Sequence, residues 1–110
     1  MVRFVDRPYA SEAVRSKISS IKWKMACGIR MTNVHFITLS DNKSDLFDIY
    51  PAPVFKQKKL RKSDLVILGI ADNHNSAVGL IEQMIRECLE EDSDLSDVRG
   101  YFERYIKDHL

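Results

Sequence analysis

At 110 residues, 45% of them apolar and 30% charged, the chain has the make-up of one ordinary globular domain with a single core. No apolar run approaches the roughly 18 residues that span a bilayer, and the opening MVRFVDRPYA lacks the apolar stretch of a secretion signal. A cytoplasmic protein without membrane contact is expected. The net charge of +1 hides an imbalance: residues 1–62 carry 13 Lys and Arg against 5 Asp and Glu, and residues 63–110 carry 4 against 11. Halves of +8 and −7 fit a protein or anionic partner for the basic half. They equally fit attraction between the halves, within one chain or between two copies in a homodimer.

Residues 1–10 read as irregular, punctuated by Pro8. Ser11 is placed to cap a helix over 11–27, because Val14, Ile18, Ile21 and Met25 recur at helical spacing on one face. Gly28 suits the left-handed position after a helix end. Lys17, Lys22 and Lys24 lie off the apolar stripe, as does Trp23, which reads as a lid on the core edge or as a contact surface. Cys27 and Cys88 fall near apolar helix positions and form no C-x-x-C pair, so both are expected as buried free thiols.

NVHFITL (33–39) is rich in strand formers on both faces, as a doubly covered strand should be. SDNKSD then turns the chain. LFDIY (46–50) reads as a second strand, antiparallel to the first, or as a short helix capped by Ser44, and Pro51 and Pro53 end it. A turn or short helix follows before the continuous apolar run of 64–71, a buried strand. Strands 33–39 and 64–71 are expected to be parallel. Helices follow over 75–91, with Ala77, Ile81, Met84, Ile85, Cys88 and Leu89 as its stripe, and over 94–108, with Leu95, Val98, Phe102, Tyr105 and Ile106. The fold class is α+β: one domain, a small mixed sheet of two or three strands, and helices packed on it.

Chemistry-bearing patterns are sparse. No zinc-type spacing occurs, and no metal or cofactor is expected. His35 reads as a satisfied strand residue, His74 as a loop residue and His109 as a frayed tail. Nucleophile elbows and phosphate-cradling glycine loops are missing, so an enzyme is not the expectation. Two features remain. Lys56, Lys58, Lys59, Arg61 and Lys62 put five cations into seven residues, which suits phosphates or another anionic partner, or simply a solvated loop. Lys22, Lys24 and Arg30 are placed to extend that surface, with Phe55 or Trp23 to stack on a base. The loop of Asp72, Asn73, His74, Asn75 and Ser76 joins a strand to a helix N-terminus, where an anion is favoured. Capping by its own side chains explains the same residues.

The block from LFDIYPAPVFKQ through DLVILGIADNHN to AVGLIEQMIREC resembles small bacterial cytosolic proteins of no known activity, in its IYPA segment, its KQ, its GIA-ending strand and the helix after it. The resemblance implies a bacterial cytosolic protein and carries over no functional residue. The residues themselves favour a non-enzymatic interaction module with a macromolecular partner. An anion- or small-molecule-binding domain using 71–76 is the alternative, and nucleic-acid binding through 56–62 is the other.

Overall fold

The computed structural model describes residues 2–41, 45–91 and 97–110. Its elements run β1 (Arg3–Ala10), a 3-10 segment (Glu12–Lys17), α1 (Ile18–Cys27), β2 (His35–Leu39), β3 (Phe47–Pro51), a 3-10 segment (Ala52–Lys56), α2 (Lys58–Arg61), β4 (Val66–Ala71), α3 (His74–Glu91) and α4 (Val98–His109). The class is α+β, with one four-stranded mixed sheet in the order β1-β4-β2-β3. The expected two or three strands therefore fall one or two short.

The strand that sequence reading missed is β1. Its Pro8 lacks an N–H, which argues against a central strand but not against an edge. β1 lies at that edge and pairs with β4 in parallel at two places, Arg3 and Phe4 with Val66 and Ile67, then Tyr9 and Ala10 with Gly69 and Ile70. The residues between are bulged out of the ladder, and α4 serves them: Tyr105 Oη donates to the Arg7 carbonyl (2.9 Å) and His109 Nδ1 meets Asp6 Oδ1 (2.9 Å). His109 is thus held in place and also stacks on Tyr105, with ring centroids 4.2 Å apart. It is no frayed tail.

β2 is covered on both faces, with Phe36 and Ile37 fully buried. β3 turns back antiparallel to it along five pairs, from His35–Pro51 to Leu39–Phe47. This settles 46–50 as strand; the alternative cap, Ser44, lies outside the described residues. The reversal also decides β4. The crossover of residues 52–65 leaves from β3, which already runs backwards, so β4 joins β2 antiparallel and not parallel as expected. A bulge at Leu68–Gly69 opposite Ile37 sends both residues towards α3. Gly69 is closely packed: a Cβ there would lie 3.1 Å from Ile37 Cδ1, so that side chain would have to give by a few tenths of an ångström, and at ordinary contact distance from Leu80 Cδ2 (3.4 Å).

The sheet separates two apolar layers. One face takes Val14, Ile21 and Met25 from the first helical segments and Ala52 and Phe55 from the crossover, against Phe36, Ile67 and Ile70. The other takes Ala77, Leu80, Met84, Cys88 and Phe102 from α3 and α4, against Val5, Ile37, Leu68 and Ala71. The stripe of α3 is thus centred on 77, 80, 84 and 88, so Leu80 replaces Ile85 and Leu89, which are half-buried. Leu95 and the expected start of the last helix at 94 lie outside the described residues.

α1 ends at Gly28 (φ +69°), where Gly28 N–H donates to Met25 O (3.2 Å) and Ile29 N–H to Lys24 O (2.9 Å). That double closure satisfies the last carbonyls and requires a residue without Cβ. Ser11 does not cap this helix. A 3-10 segment precedes it, and the Ser11 hydroxyl donates to Asp72 Oδ1 (3.2 Å). Cys88 is buried as expected, whereas Cys27, in the last turn of α1, is exposed. Trp23 is 60% exposed, so it lids nothing.

This arrangement turns the charge imbalance along the chain into an imbalance across the sheet. The segments that cover the first face carry Lys17, Lys22, Lys24, Arg30 and the cations of 56–62. The helices that cover the second carry six acids, Glu82, Glu87, Glu90, Glu91, Glu103 and Asp108, against four cations, Arg86, Arg99, Arg104 and Lys107, a net of −2. Among the described residues, no helix is long and apolar enough to cross a membrane.

Candidate anion-binding groove

Three elements converge on the first face. The start of β1 is tied to the end of α2 by Val2 N–H donating to Arg61 O (3.3 Å), and to the next residues by Arg3 N–H donating to Leu65 O (2.9 Å). α1 lies alongside. Between them runs an open groove of about 600 Å3 lined by Arg3, Lys22, Lys58, Arg61 and Lys62, over a floor that includes Val2, Phe4 and Met25. Among the described residues, no Asp or Glu side chain lines it. Five like charges around one concavity sum to a positive potential that draws anions and strengthens at low salt.

Each cation has a local reason for its position. Arg3 points out of the edge strand and is exposed. Lys22 lays its ammonium over the Phe4 ring, 5.8 Å from the centroid, where the ring's negative face favours it. Lys58 and Lys62 flank the single turn of α2 and are exposed. Arg61 is half-buried, with its guanidinium packed on Gly28, so closely that a Cβ at 28 would overlap Nη1. Its Nε is buried without a hydrogen-bond partner. The glycine that closes α1 therefore also makes room for a groove cation.

The basic cluster of 56–62 is thus divided. Lys58, Arg61 and Lys62 enter the groove. Lys56 instead borders a smaller, largely apolar hollow of about 160 Å3 beside Arg30, Met31 and Phe55, and Lys59 lines neither. Of the expected extensions, Lys22 joins the groove, whereas Lys24 and Arg30 border a separate depression with Lys17 and Asp72. Phe55 is buried and offers no face to a ligand. Arg3 was missed because its segment reads as irregular; the alternation of charged and apolar residues in VRFVD was the available signal.

The 71–76 loop is occupied by its own contacts. Asn73 Oδ1 accepts from Ser76 N–H (2.8 Å) and so caps α3, while Asp72 accepts from Ser11 Oγ and from Asn73 Nδ2 (both 3.2 Å). Hydrogen bonds, first from the Ser76 side chain, hold the Asp72 carboxyl below the usual carboxylate range. An ionised carboxylate beside a helix N-terminus that is already capped favours the capping role over anion binding. Asn75 is exposed, and His74 is the first residue of α3 with its ring centroid 6.4 Å from that of His35. His35 Nδ1 is buried without a partner, so this histidine is not satisfied as expected. Among the described residues no three His, Cys, Asp or Glu side chains cluster as metal ligands would.

The opposite face holds a cleft of different character, where Tyr9, Tyr101 and Tyr105 meet Glu87, Glu90, Glu91 and Asp108. Tyr101 Oη donates to Glu91 Oε2 (2.8 Å). Burial, then the neighbouring acidic groups, pushes the Tyr9 and Tyr101 hydroxyls well above the ordinary tyrosine value, and burial raises that of Tyr105. Raised folded-state values mean that the unfolded chain releases these protons first, so stability present below about pH 10 is lost as pH rises. Thermal melts between about pH 9 and 12 should show this loss, and Tyr9→Phe should lose less than the parent. An equal loss in both would remove Tyr9 from the account. No family model matches the chain, and no curated protein or solved structure matches it significantly.

Proposed function

We propose that the protein is a non-enzymatic binding module that holds a polyanionic macromolecule in the basic groove. The supporting observation is that β1, α1 and the α2 turn bring five cations to one concavity with no Asp or Glu among the described residues that line it. Scattered solubilising lysines would not be gathered in this way.

The test is titration with inorganic polyphosphate. Binding should weaken by on the order of 100-fold between about 50 and 200 mM salt, because each neutralised phosphate releases counterions. The triple change Arg3→Ala, Lys58→Ala, Lys62→Ala should weaken binding and flatten the salt dependence. All three residues are exposed, so folding should shift by no more than about 0.5 kcal/mol per site. A matched control, Arg86→Ala, Arg104→Ala, Lys107→Ala, removes the same charge from α3 and α4 and should bind as the parent does. Equal losses in the two triples would reduce the effect to net charge and sink the groove.

A homodimer by charge pairing is the competing assembly. The basic groove and the acidic cleft approach each other at the end of α4, where Leu110 lines the groove and Asp108 and His109 line the cleft. A two-fold dimer would seat each copy's groove on the other's cleft, whereas head-to-tail pairing would give rings or open chains. Light scattering at low salt decides it: a monomer would exclude charge pairing, and a discrete dimer that dissociates in salt would support it.

A further inference from the structure

Resting on that reading, we infer that the polyanion is single-stranded nucleic acid, with its phosphates along the groove and one base stacked on Trp23. Lone exposed apolar residues are ordinary on protein surfaces, and Ile29 and Val78 are such cases. Trp23 differs in its position. It is 60% exposed and stands in α1 between Lys22 and Lys24. Lys22, Met25 and Ala26 of the same helix line the groove. On an α-helix, residue 23 neighbours 26, three positions on, so Trp23 sits on the helix surface beside the groove-lining residues without itself lining the groove.

A basic track bordered by an uncovered aromatic ring is the arrangement that holds unpaired bases. The cations follow the backbone, and the ring takes a base face without regard to sequence. An acidic peptide would satisfy the cations but leave the indole unused. A duplex keeps its bases stacked on one another and presents none to the ring. Phe55, the other aromatic candidate, is buried and takes no part.

Trp23 is the only tryptophan in the chain, so its emission reports on its own environment. The experiment compares an oligothymidylate of about 15 nucleotides, the corresponding duplex, inorganic polyphosphate and polyglutamate, each titrated against the full chain and against Trp23→Ala. Oligothymidylate should quench Trp23 emission on binding, and Trp23→Ala should weaken that binding by about 5- to 150-fold, the range that one stacked base supplies. Polyphosphate should bind both proteins equally. Melting curves that coincide for the two proteins would exclude a folding defect as the cause. Oligothymidylate binding without quenching, unaffected by Trp23→Ala, would overturn the stacked base and leave the polyanion groove standing. Preference for the duplex would overturn single-strand selection, and preference for polyglutamate would assign the groove to an acidic protein. Failure of polyphosphate and oligothymidylate alike would remove the groove reading together with this one.

Discussion

Phe36→Ala is expected to cost about 3–5 kcal/mol, the range for emptying a fully buried aromatic site. Phe36 is wholly buried in β2. Its ring meets Phe55 edge-on with centroids 5.4 Å apart and Phe4 at 6.0 Å. Two aromatic partners, one from β1 and one from the crossover, therefore lose their common contact, and Met25 and Met31 of the same layer would fill the space only in part. Native domains hold only about 5–15 kcal/mol in total, so the variant should be marginal at 37 °C and lose roughly 15 °C or more in melting temperature. Phe4 forms part of the groove floor, so the groove should loosen in the same variant. Urea titration of parent and variant measures the cost. A loss below about 1.5 kcal/mol would mean that the layer beneath the groove is not packed as described.

The second large effect is expected on the other face. Phe102 is the one fully buried residue of α4, and its ring meets Phe47 of β3 edge-on at 5.1 Å. The remaining apolar residues of that helix, Val98, Tyr101, Tyr105 and Ile106, are only half-buried. Phe102 is thus the deepest contact of α4, beside the Arg99 hydrogen bonds to the Ser40 and Asp45 carbonyls (2.6 and 2.7 Å) and the Tyr105 and His109 contacts, and Phe102→Ala should cost about 3–5 kcal/mol. Release of α4 would also free the bulge of β1 from Tyr105 and His109. Hydrogen exchange should show α4 and β1 opening together, ahead of β2 and β4. Where the variant remains folded, polyphosphate binding should hold at the parental level, because Phe102 belongs to the layer away from the groove. Protection lost uniformly across the sheet would instead show that α4 is not a separable unit.

The elements with strong periodicity were legible from the chain alone. The stripe of Val14, Ile21 and Met25 and the apolar run of β4 bury what local pattern says they bury, and α3 does so at Ala77, Met84 and Cys88 but with Leu80 in place of Ile85 and Leu89. Gly28 was legible because a left-handed helix end admits few residues. β1 was not, because a strand held at an edge, with a proline and charged residues in a bulge, owes its existence to β4 and to α4 side chains, neither of which its own pattern encodes. The direction of β4 was likewise a tertiary matter, decided by the reversal at β3 before the chain crossed over.

The candidate site divides in the same way. Residue type and spacing alone determine that Lys58, Arg61 and Lys62 form a basic cluster next to a buried strand, that the first half of the chain is cationic, and that familiar catalytic motifs are missing. Only the tertiary structure decides that Arg3 and Lys22 join the cluster, that Lys56 and Lys59 stay out of the groove, that Phe55 is buried and that Trp23 is bare. The reason is physical. Charge and periodicity are properties of a segment, set by backbone geometry over a few residues. A groove is a property of distance between segments, set by which strands pair and which faces the helices must cover.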